Sequence, residues 1–264
     1  MTPSELSGAW NFRDVAELTG IRPGLFFRSS ELSGLDESGR KGLGALGITD
    51  VADLRSPREV ERRGGDAVPD GVSVHLLPFP DLATTTAEAP HETSWRQMMT
   101  EYPGDGDAAG AAARFMTAEY QKFPSLGGAQ RAVRQLISLL GDGQTVITHC
   151  FAGKDRTGFA VATVLETVGV PRDLILTDFL RSNAAVPQLR ERIVDSIRTR
   201  AGETPEVITF AEARLTDEVL GVREEYLVTA RRVIDDEYGG LQGFLTAAGV
   251  TGDDVKRVRA ALLG

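Results

Sequence analysis

One cysteine and one arginine are spaced so that they can act on the same anion. The segment HCFAGKDRTG occupies positions 149–158, and five residues separate Cys150 from Arg156. Five residues can close into a cradle in which the sulfur and the guanidinium face one anion and the loop N–H groups point inward. Arg156 can bind two oxygens of a tetrahedral phosphate at once. This spacing predicts attack of a thiolate on phosphorus.

The other residues of the segment are also predicted to have roles in this cradle. The N–H groups expected to bind phosphate belong to Phe151, Ala152, Gly153, Lys154, Asp155 and Arg156. A helix that begins after the loop adds positive potential there, which favours the thiolate form of the cysteine. We expect His149 to fix the loop through side-chain hydrogen bonds. Thr157 can donate its hydroxyl to the sulfur and ease its departure from a phosphocysteine.

Two other interpretations of this segment were weighed. A lone cysteine at the end of a strand is usually a small buried apolar side chain. A nucleotide-binding P-loop is the other glycine-loop motif, but here Gly153-Lys154 is followed by Asp155 rather than by Ser or Thr. Position 148 is Thr, where that motif requires glycine. The strand before the loop and the helix after it favour phosphate chemistry.

The leaving oxygen needs a general acid, and two aspartates are candidates. Asp81 follows Pro80 on a loop after a strand, from which its carboxyl group could swing over the cradle. It could also be a simple turn residue. Asp155 lies inside the cradle and would start beside the bound phosphate. We favour Asp81, with Asp155 as the second candidate.

Composition excludes several classes of protein. The 264 residues include 29 Lys and Arg against 38 Asp and Glu, a formal charge of −9, which argues against a nucleic-acid binder but not against an anionic substrate. One cysteine allows no internal disulfide, and three histidines argue against a zinc cage, so we expect neither metal nor cofactor. We find no signal peptide and no apolar run near the ~18–20 residues of a membrane span. The default location is the cytoplasm.

Short apolar runs between turn residues predict the strands, and apolar residues on one helical face predict the helices. Strands are expected at 25–28, 48–54, 72–77 and 145–149, and helices at 36–46, 111–123, 129–140, from the cradle to Gly169, and at 174–189, 190–200 and 222–236. Two short helices are expected within 241–263. The order predicts an α/β sheet flanked by helices, in a single domain over 1–264 with a mobile insertion at 83–125.

The cradle and five further segments resemble the atypical bacterial branch of the cysteine-dependent protein tyrosine phosphatases. The segments are NFRDV at 11–15, FRSSEL at 27–32, GITDVADLRS at 47–56, HLLPFPDL at 75–82 and DFLRSN…VPQLR at 178–190. The resemblance covers nearly the whole chain and is weakest at 83–125 and 200–220. It implies a parallel-centred sheet with helices on both sides, a phosphocysteine intermediate at Cys150, and Arg156 as the phosphate-binding arginine.

The resemblance also implies substrates and a cover for the site. Family members act on phosphotyrosine, often on phosphoserine or phosphothreonine, and on phosphoinositides. Lys154 would place a second cation at the mouth, which suits multiply phosphorylated head groups. A helical lid is implied around 190–240, although the apolar stripe there also fits a solvated helix packed on the core. Secretion without a signal peptide is compatible with the family.

Several alternatives stay open at this point. The chain could be a phosphate-recognising binding module without turnover, or a strict phosphoinositide phosphatase. Arg13 could brace the cradle or pair at the surface. The arginines around Glu59 are expected to form an ion-paired helix face. The sequence does not indicate an oligomeric state.

Overall fold

The computed structural model describes residues 5–79, 107–200, 209 and 212–264, and a five-stranded sheet lies at its centre. The strands are β1 (Arg13–Asp14), β2 (Phe26–Ser29), β3 (Asp50–Asp53), β4 (Ser73–Leu76) and β5 (Val146–His149). Their order is β1-β2-β5-β3-β4. All neighbours run parallel except β1, which pairs antiparallel with β2. The parallel-centred sheet is confirmed, and the short edge strand β1 was not predicted.

Helices make up most of the rest of the described chain. They are α1 (Ala16–Thr19), α2 (Glu37–Ala45), α3 (Pro57–Arg63), α4 (Ala108–Lys122), α5 (Gly127–Gly141), α6 (Asp155–Val168), α7 (Arg172–Arg181), α8 (Val186–Arg200), α9 (Asp217–Leu220), α10 (Glu224–Tyr238), α11 (Leu241–Ala247) and α12 (Gly252–Leu263). Two 3₁₀ turns cover Phe123–Ser125 and Ser182–Ala185. Within the described ranges, no helix has both the length and the apolar content needed to cross a membrane.

The central strands bury both of their faces. Phe26 and Val146 belong to the larger apolar cluster, whereas their neighbours Phe27 and Ile147 belong to a smaller one that includes Leu43 of α2. Successive side chains of a strand point to opposite faces, so these pairs require cover on both sides. This explains why the helices flank the sheet rather than lying on one face of it.

Local sequence signals account for several helix ends. Asp36 accepts a hydrogen bond from the Gly39 N–H and begins α2. Ser56 and Glu59 form a capping box at the start of α3, with a proline at its first position. Helix α6 ends at Gly169, which adopts φ +89° and supplies the left-handed residue that closes many helices.

Two predicted segments differ from the structure. The helix expected over 174–189 is interrupted, because α7 ends at Arg181 and the 3₁₀ turn precedes α8. Pro187 explains the restart, since proline lacks an N–H and fits only the first turn of a helix. Of the insertion expected at 83–125, residues 83–106 lie outside the described residues. Residues 108–122 form α4, whose Met116 and Tyr120 are buried in the larger apolar cluster.

Candidate active site

The predicted cradle lies where three parallel strands end. Because β2, β5 and β3 run parallel, their carboxyl ends meet at one edge of the sheet, the usual place for a ligand site in such folds. Cys150 follows β5 directly, and α6 begins at Asp155, so the loop faces the positive end of that helix. The strand–loop–helix arrangement expected from the sequence is confirmed. Every residue from His149 to Thr157 is buried.

Gly153 makes the sharp bend of the loop possible. Its φ of +65° lies in the left-handed region, and a Cβ there would stand 2.0 Å from the carbonyl oxygen of Ser29. The carbonyl of Gly153 accepts hydrogen bonds from Arg28 Nη2 at 2.8 Å and from Asn11 Nδ2 at 3.0 Å. Asn11 also donates to the carbonyl of Ala152 at 3.1 Å. The outer side of the loop is therefore pinned to two neighbouring segments.

Asn11 itself has an unusual backbone. Its φ of +54° is the only positive value among the non-glycine residues that the structure describes, and asparagine tolerates this conformation better than most side chains do. The conformation accompanies the two hydrogen bonds to the loop. A sparsely populated backbone conformation of this kind is typical of functional sites.

A buried carboxylate orients the arginine of the cradle. Glu59 accepts from Arg156 Nη1 and Nη2, each at 2.8 Å, and both side chains are buried. Arg156 Nη1 also donates to the carbonyl of Leu54 at 3.2 Å. Burial alone would lower the pKa of Arg156, but Glu59 and the Cys150 thiolate raise it above its usual range. The guanidinium is thus held in a fixed orientation, and it stays charged.

His149 carries a charge behind the loop. Its Nε2 lies 3.0 Å from Asp66 Oδ2, and its Nδ1 lies 3.1 Å from the carbonyl oxygen of Cys150. Burial would lower the pKa of His149, but the carboxylates of Asp53 and Asp66 raise it to about 9. The imidazolium can donate through both nitrogens, which satisfies both partners. The structure thus gives His149 one hydrogen-bond partner in the loop backbone and one behind it.

The same residues also offer ligand atoms for a metal ion. Asp53, Asp66 and His149 bring three such atoms within 4.8 Å of one another. Arg55, however, lies between the two carboxylates, donating to Asp53 Oδ2 and to Asp66 Oδ1 at 2.8 Å each. A guanidinium and an imidazolium therefore already balance these negative charges. This donor set does not favour a cation site.

A second buried network braces the loop from the side of β1 and β2. Asp178 on α7 accepts from Arg13 Nε at 2.7 Å and from Arg28 Nη1 at 2.5 Å. Burial would raise the pKa of Asp178, but the two arginines hold it below its usual range. Arg13 also donates to Asn11 Oδ1 at 2.7 Å. Arg13 therefore braces the cradle rather than pairing at the surface.

Lys154 is enclosed by a segment that follows α8. Its Nζ donates to the carbonyls of Val219 at 2.6 Å and Gly221 at 3.0 Å, and it lies 3.2 Å from Asp155 Oδ2. Asn183 fastens the same segment through two hydrogen bonds to the backbone of Val222. The ammonium group is buried here, whereas the resemblance implied a position at the mouth.

Only one of the two candidate acids lies among the described residues. Asp81 lies outside the described residues. Asp155 lies at the first position of α6, and its Oδ1 accepts a hydrogen bond from the hydroxyl of Tyr120 at 3.1 Å. The hydroxyl of Thr157 is buried and makes no hydrogen bond to any described residue, so its expected bond to the sulfur is not formed.

Helix α8, in the region where the lid was expected, approaches the loop through Trp10. The guanidinium of Arg192 stands 5.9 Å from the ring of Trp10, and Trp10 packs edge-on against Phe151 with 6.3 Å between ring centroids. On the other side, the guanidinium of Arg63 lies 3.7 Å from the centre of the Phe151 ring. Phe151, which follows Cys150, is thereby covered by cationic and aromatic side chains.

Several residues that support the loop were not predicted from the sequence, or were predicted in a different role. They are Asn11, Arg28, Glu59, Asp66, Tyr120 and Asp178. Glu59 was expected on an ion-paired surface, yet it is buried, as is the neighbouring Arg55. Two signals could have found some of them. The capping box fixes Glu59 at the start of α3, and an arginine within a buried strand, as at Arg28, requires a buried acidic partner.

Known proteins resemble this chain over most of its length. The model of the tyrosine phosphatase family matches residues 4–264. The chain is similar to the triple specificity protein phosphatase PtpB of Mycobacterium tuberculosis, with 56% identity over 100% of both chains. A relative from Cupriavidus necator is 29% identical over 90% of this chain and 81% of its own length. A tyrosine-protein phosphatase of Nostoc commune is 25% identical over 92% and 76%.

Proposed function

The chain belongs to the tyrosine phosphatase family, and from this premise we propose that it hydrolyses phosphomonoesters through a phosphocysteine at Cys150. The observation that carries the proposal is the closed loop between β5 and α6. The loop joins Cys150, at the end of β5, to the first turn of α6, which carries the ion-paired guanidinium of Arg156. A tetrahedral phosphate is the anion that this arrangement suits.

In the first step the Cys150 thiolate attacks phosphorus. A sulfur–phosphorus bond forms, the bond from phosphorus to the ester oxygen breaks, and the leaving oxygen takes a proton from a carboxylic acid. Arg156 and the loop N–H groups stabilise the charge on the three equatorial oxygens. Because Glu59 already fixes Arg156, little reorganisation is needed when phosphate arrives.

In the second step water attacks the phosphocysteine. The sulfur–phosphorus bond breaks, the thiolate leaves, and the carboxylate formed in the first step takes the proton of the water. Inorganic phosphate is then released, and the enzyme returns to its starting state. The sequence of events requires no metal ion or organic cofactor.

We assign the acid and base role to Asp155. Its carboxyl group lies within the phosphate loop and is held by Tyr120 and Lys154. This assignment reverses the order that the sequence alone suggested, in which Asp81 came first. Asp81→Asn and Asp155→Asn are the paired variants that compare the two candidates.

The proposed substrates are phosphotyrosine, phosphoserine or phosphothreonine in proteins, and phosphoinositides. The name of the Mycobacterium tuberculosis relative, a triple specificity protein phosphatase, supports a broad range. Lys154 can bind a second phosphate of a phosphoinositide only if its ammonium group leaves the carbonyls of Val219 and Gly221.

A matched panel tests the proposal. Phosphate release is measured from a phosphotyrosine peptide, a phosphothreonine peptide and a singly phosphorylated inositol lipid, with Cys150→Ser as the blank. We expect turnover by the wild type on the peptides and the lipid, and none above background by the variant. The order of kcat/KM then ranks the substrates.

Binding measurements complete the test. Cys150→Ser should still bind the phosphotyrosine peptide, because Arg156 and the loop remain. If Cys150→Ser turned over substrate as fast as the wild type, the assignment of Cys150 as the nucleophile would be refuted. Tight peptide binding by the wild type without turnover on any substrate would instead identify a binding module.

A further inference from the structure

We propose that Tyr120 is a positioning residue for the reaction, holding the carboxyl group of Asp155 in the orientation from which it exchanges its proton with the substrate. The proposal rests on the acid role of Asp155 given above. Tyr120 lies on α4, 35 residues before Asp155, and the two side chains meet only through the fold. Its hydroxyl donates to Asp155 Oδ1 at 3.1 Å in a buried contact.

The ring of Tyr120 is locked by aromatic side chains from three other elements. It packs against Phe123 with 4.9 Å between ring centroids, against Tyr226 at 5.5 Å and against Phe179 at 6.2 Å. Tyr120 is fully buried. Because these neighbours fix the plane of the ring, they also fix the direction in which the hydroxyl donates.

Packing alone does not require a hydroxyl at this position. Two of the neighbouring rings are phenylalanines, and a phenylalanine would fill the same space as Tyr120. Burying a hydroxyl costs free energy unless it finds a hydrogen-bond partner. The partner here is a carboxyl oxygen in the phosphate loop, so the hydroxyl of Tyr120 serves the site.

The hydrogen bond from Tyr120 also gives the two carboxyl oxygens of Asp155 different roles. Since Tyr120 donates to Oδ1, that oxygen acts as an acceptor, and the transferable proton of the acid form belongs on Oδ2. Lys154 Nζ lies 3.2 Å from Oδ2 and spends two of its N–H groups on backbone carbonyls. After proton transfer, the phenol and the ammonium group both stabilise the carboxylate.

Tyr120 stays a donor throughout the reaction. Burial, together with the carboxylate of Asp155 and the thiolate of Cys150, raises the pKa of Tyr120 well above its usual value. The phenol therefore keeps its proton.

Tyr120→Phe tests the proposal, because it removes the hydroxyl and keeps the ring. We compare kcat/KM for p-nitrophenyl phosphate, a good leaving group, and phenyl phosphate, a poor one. This ratio covers the steps up to departure of the leaving group and leaves out the later hydrolysis, in which Asp155 acts as base. For phenyl phosphate we expect kcat/KM to fall about 10- to 150-fold, the size of one hydrogen bond to a charged group. For p-nitrophenyl phosphate kcat/KM should change less than about 2-fold, since little proton donation is needed.

Tyr226→Phe is the matched control. Tyr226 belongs to the same aromatic group, but its hydroxyl donates to the backbone carbonyl of Glu218 at 2.9 Å rather than to Asp155. We expect this variant to keep the wild-type ratio of rates on the two substrates. The ratio is measured on one sample, so it does not depend on the folded fraction.

Asp155→Asn separates the two possible failures. If Asp155→Asn lowers kcat/KM equally for both substrates, the proposed acid is wrong. If Asp155→Asn lowers kcat/KM selectively for phenyl phosphate while Tyr120→Phe lowers it equally for both substrates or for neither, the positioning role is overturned. If Tyr226→Phe reproduces the selective loss of Tyr120→Phe, the effect belongs to the aromatic packing, and the proposal is likewise overturned.

Discussion

Asp178→Asn should destabilise the protein strongly, because its one carboxylate is the shared ion-pair partner of two buried arginines. The variant keeps the size of the side chain and one acceptor oxygen, but it leaves Arg13 and Arg28 without their negative partner. Breaking a buried ion pair in this way costs about 3–5 kcal/mol. For a chain of this size, 1 kcal/mol lowers the Tm by about 2–4 °C, so we expect a fall of about 6–20 °C.

Activity should fall together with stability. Arg28 and the Asn11 side chain both bind the carbonyl of Gly153, and Arg13 holds Asn11 in turn. Loosening this side of the loop by about 1 Å would lower kcat/KM about 100-fold at a temperature where the variant is folded. Unfolding followed by tryptophan fluorescence and aryl phosphate hydrolysis measure the two effects.

Asp173→Asn is the matched control, since Asp173 lies on the same helix α7 and is exposed. We expect a change within about 0.5 kcal/mol. The arginines lower the pKa of Asp178, so its stabilisation is present above about pH 4 and is lost as the pH falls through the lowered pKa. The difference in free energy of unfolding between the wild type and Asp178→Asn should therefore become smaller at acid pH. Equal stability of the two variants at neutral pH would refute the reasoning.

Two further predictions concern the loop and its support. The pKa of His149 is raised to about 9, so its stabilisation is complete below about pH 6.5 and is lost as the pH rises toward 9. The free energy of unfolding, measured with denaturant, should fall between pH 6.5 and 9 in the wild type and not in His149→Gln. The same dependence on pH in both proteins would contradict this prediction. Gly153→Ala should abolish turnover and phosphate binding, because its Cβ would meet the Ser29 carbonyl. Gly24→Ala, which also has positive φ (+79°) but open space around it, should cost only about 1–2 kcal/mol of stability and keep activity. Equal effects of the two alanine variants would refute the clash.

The proposed reacting residues could be picked out from the sequence because they are neighbours in the chain. The strand, the loop and the helix from His149 to Thr157 are local features, and each has its own signal in composition and spacing. The flanking strands and most helices were also predictable from apolar periodicity. Their register and order were not, since those depend on which strands meet in space.

The supporting residues could not be assigned in the same way. Glu59 lies 97 residues from Arg156, and Asp178 lies 150 residues from Arg28. Nothing in either local segment says which charge it will meet. Tyr120 falls in a stretch whose sequence looked like an insertion, and only the packing of α4 against the core brings its hydroxyl to Asp155.

The hydrogen bonds on the outer side of the phosphate loop have a consequence for recognition. A trans peptide group is planar, and its C=O and N–H point in opposite directions. Because Asn11 and Arg28 hold the carbonyls of Ala152 and Gly153, the N–H groups of Gly153 and Lys154 must point to the other side of the loop. The direction of these donors is thus decided during folding, before any anion arrives. Phosphate should bind with little loss of backbone entropy, and its affinity should reflect almost the full strength of the contacts it makes.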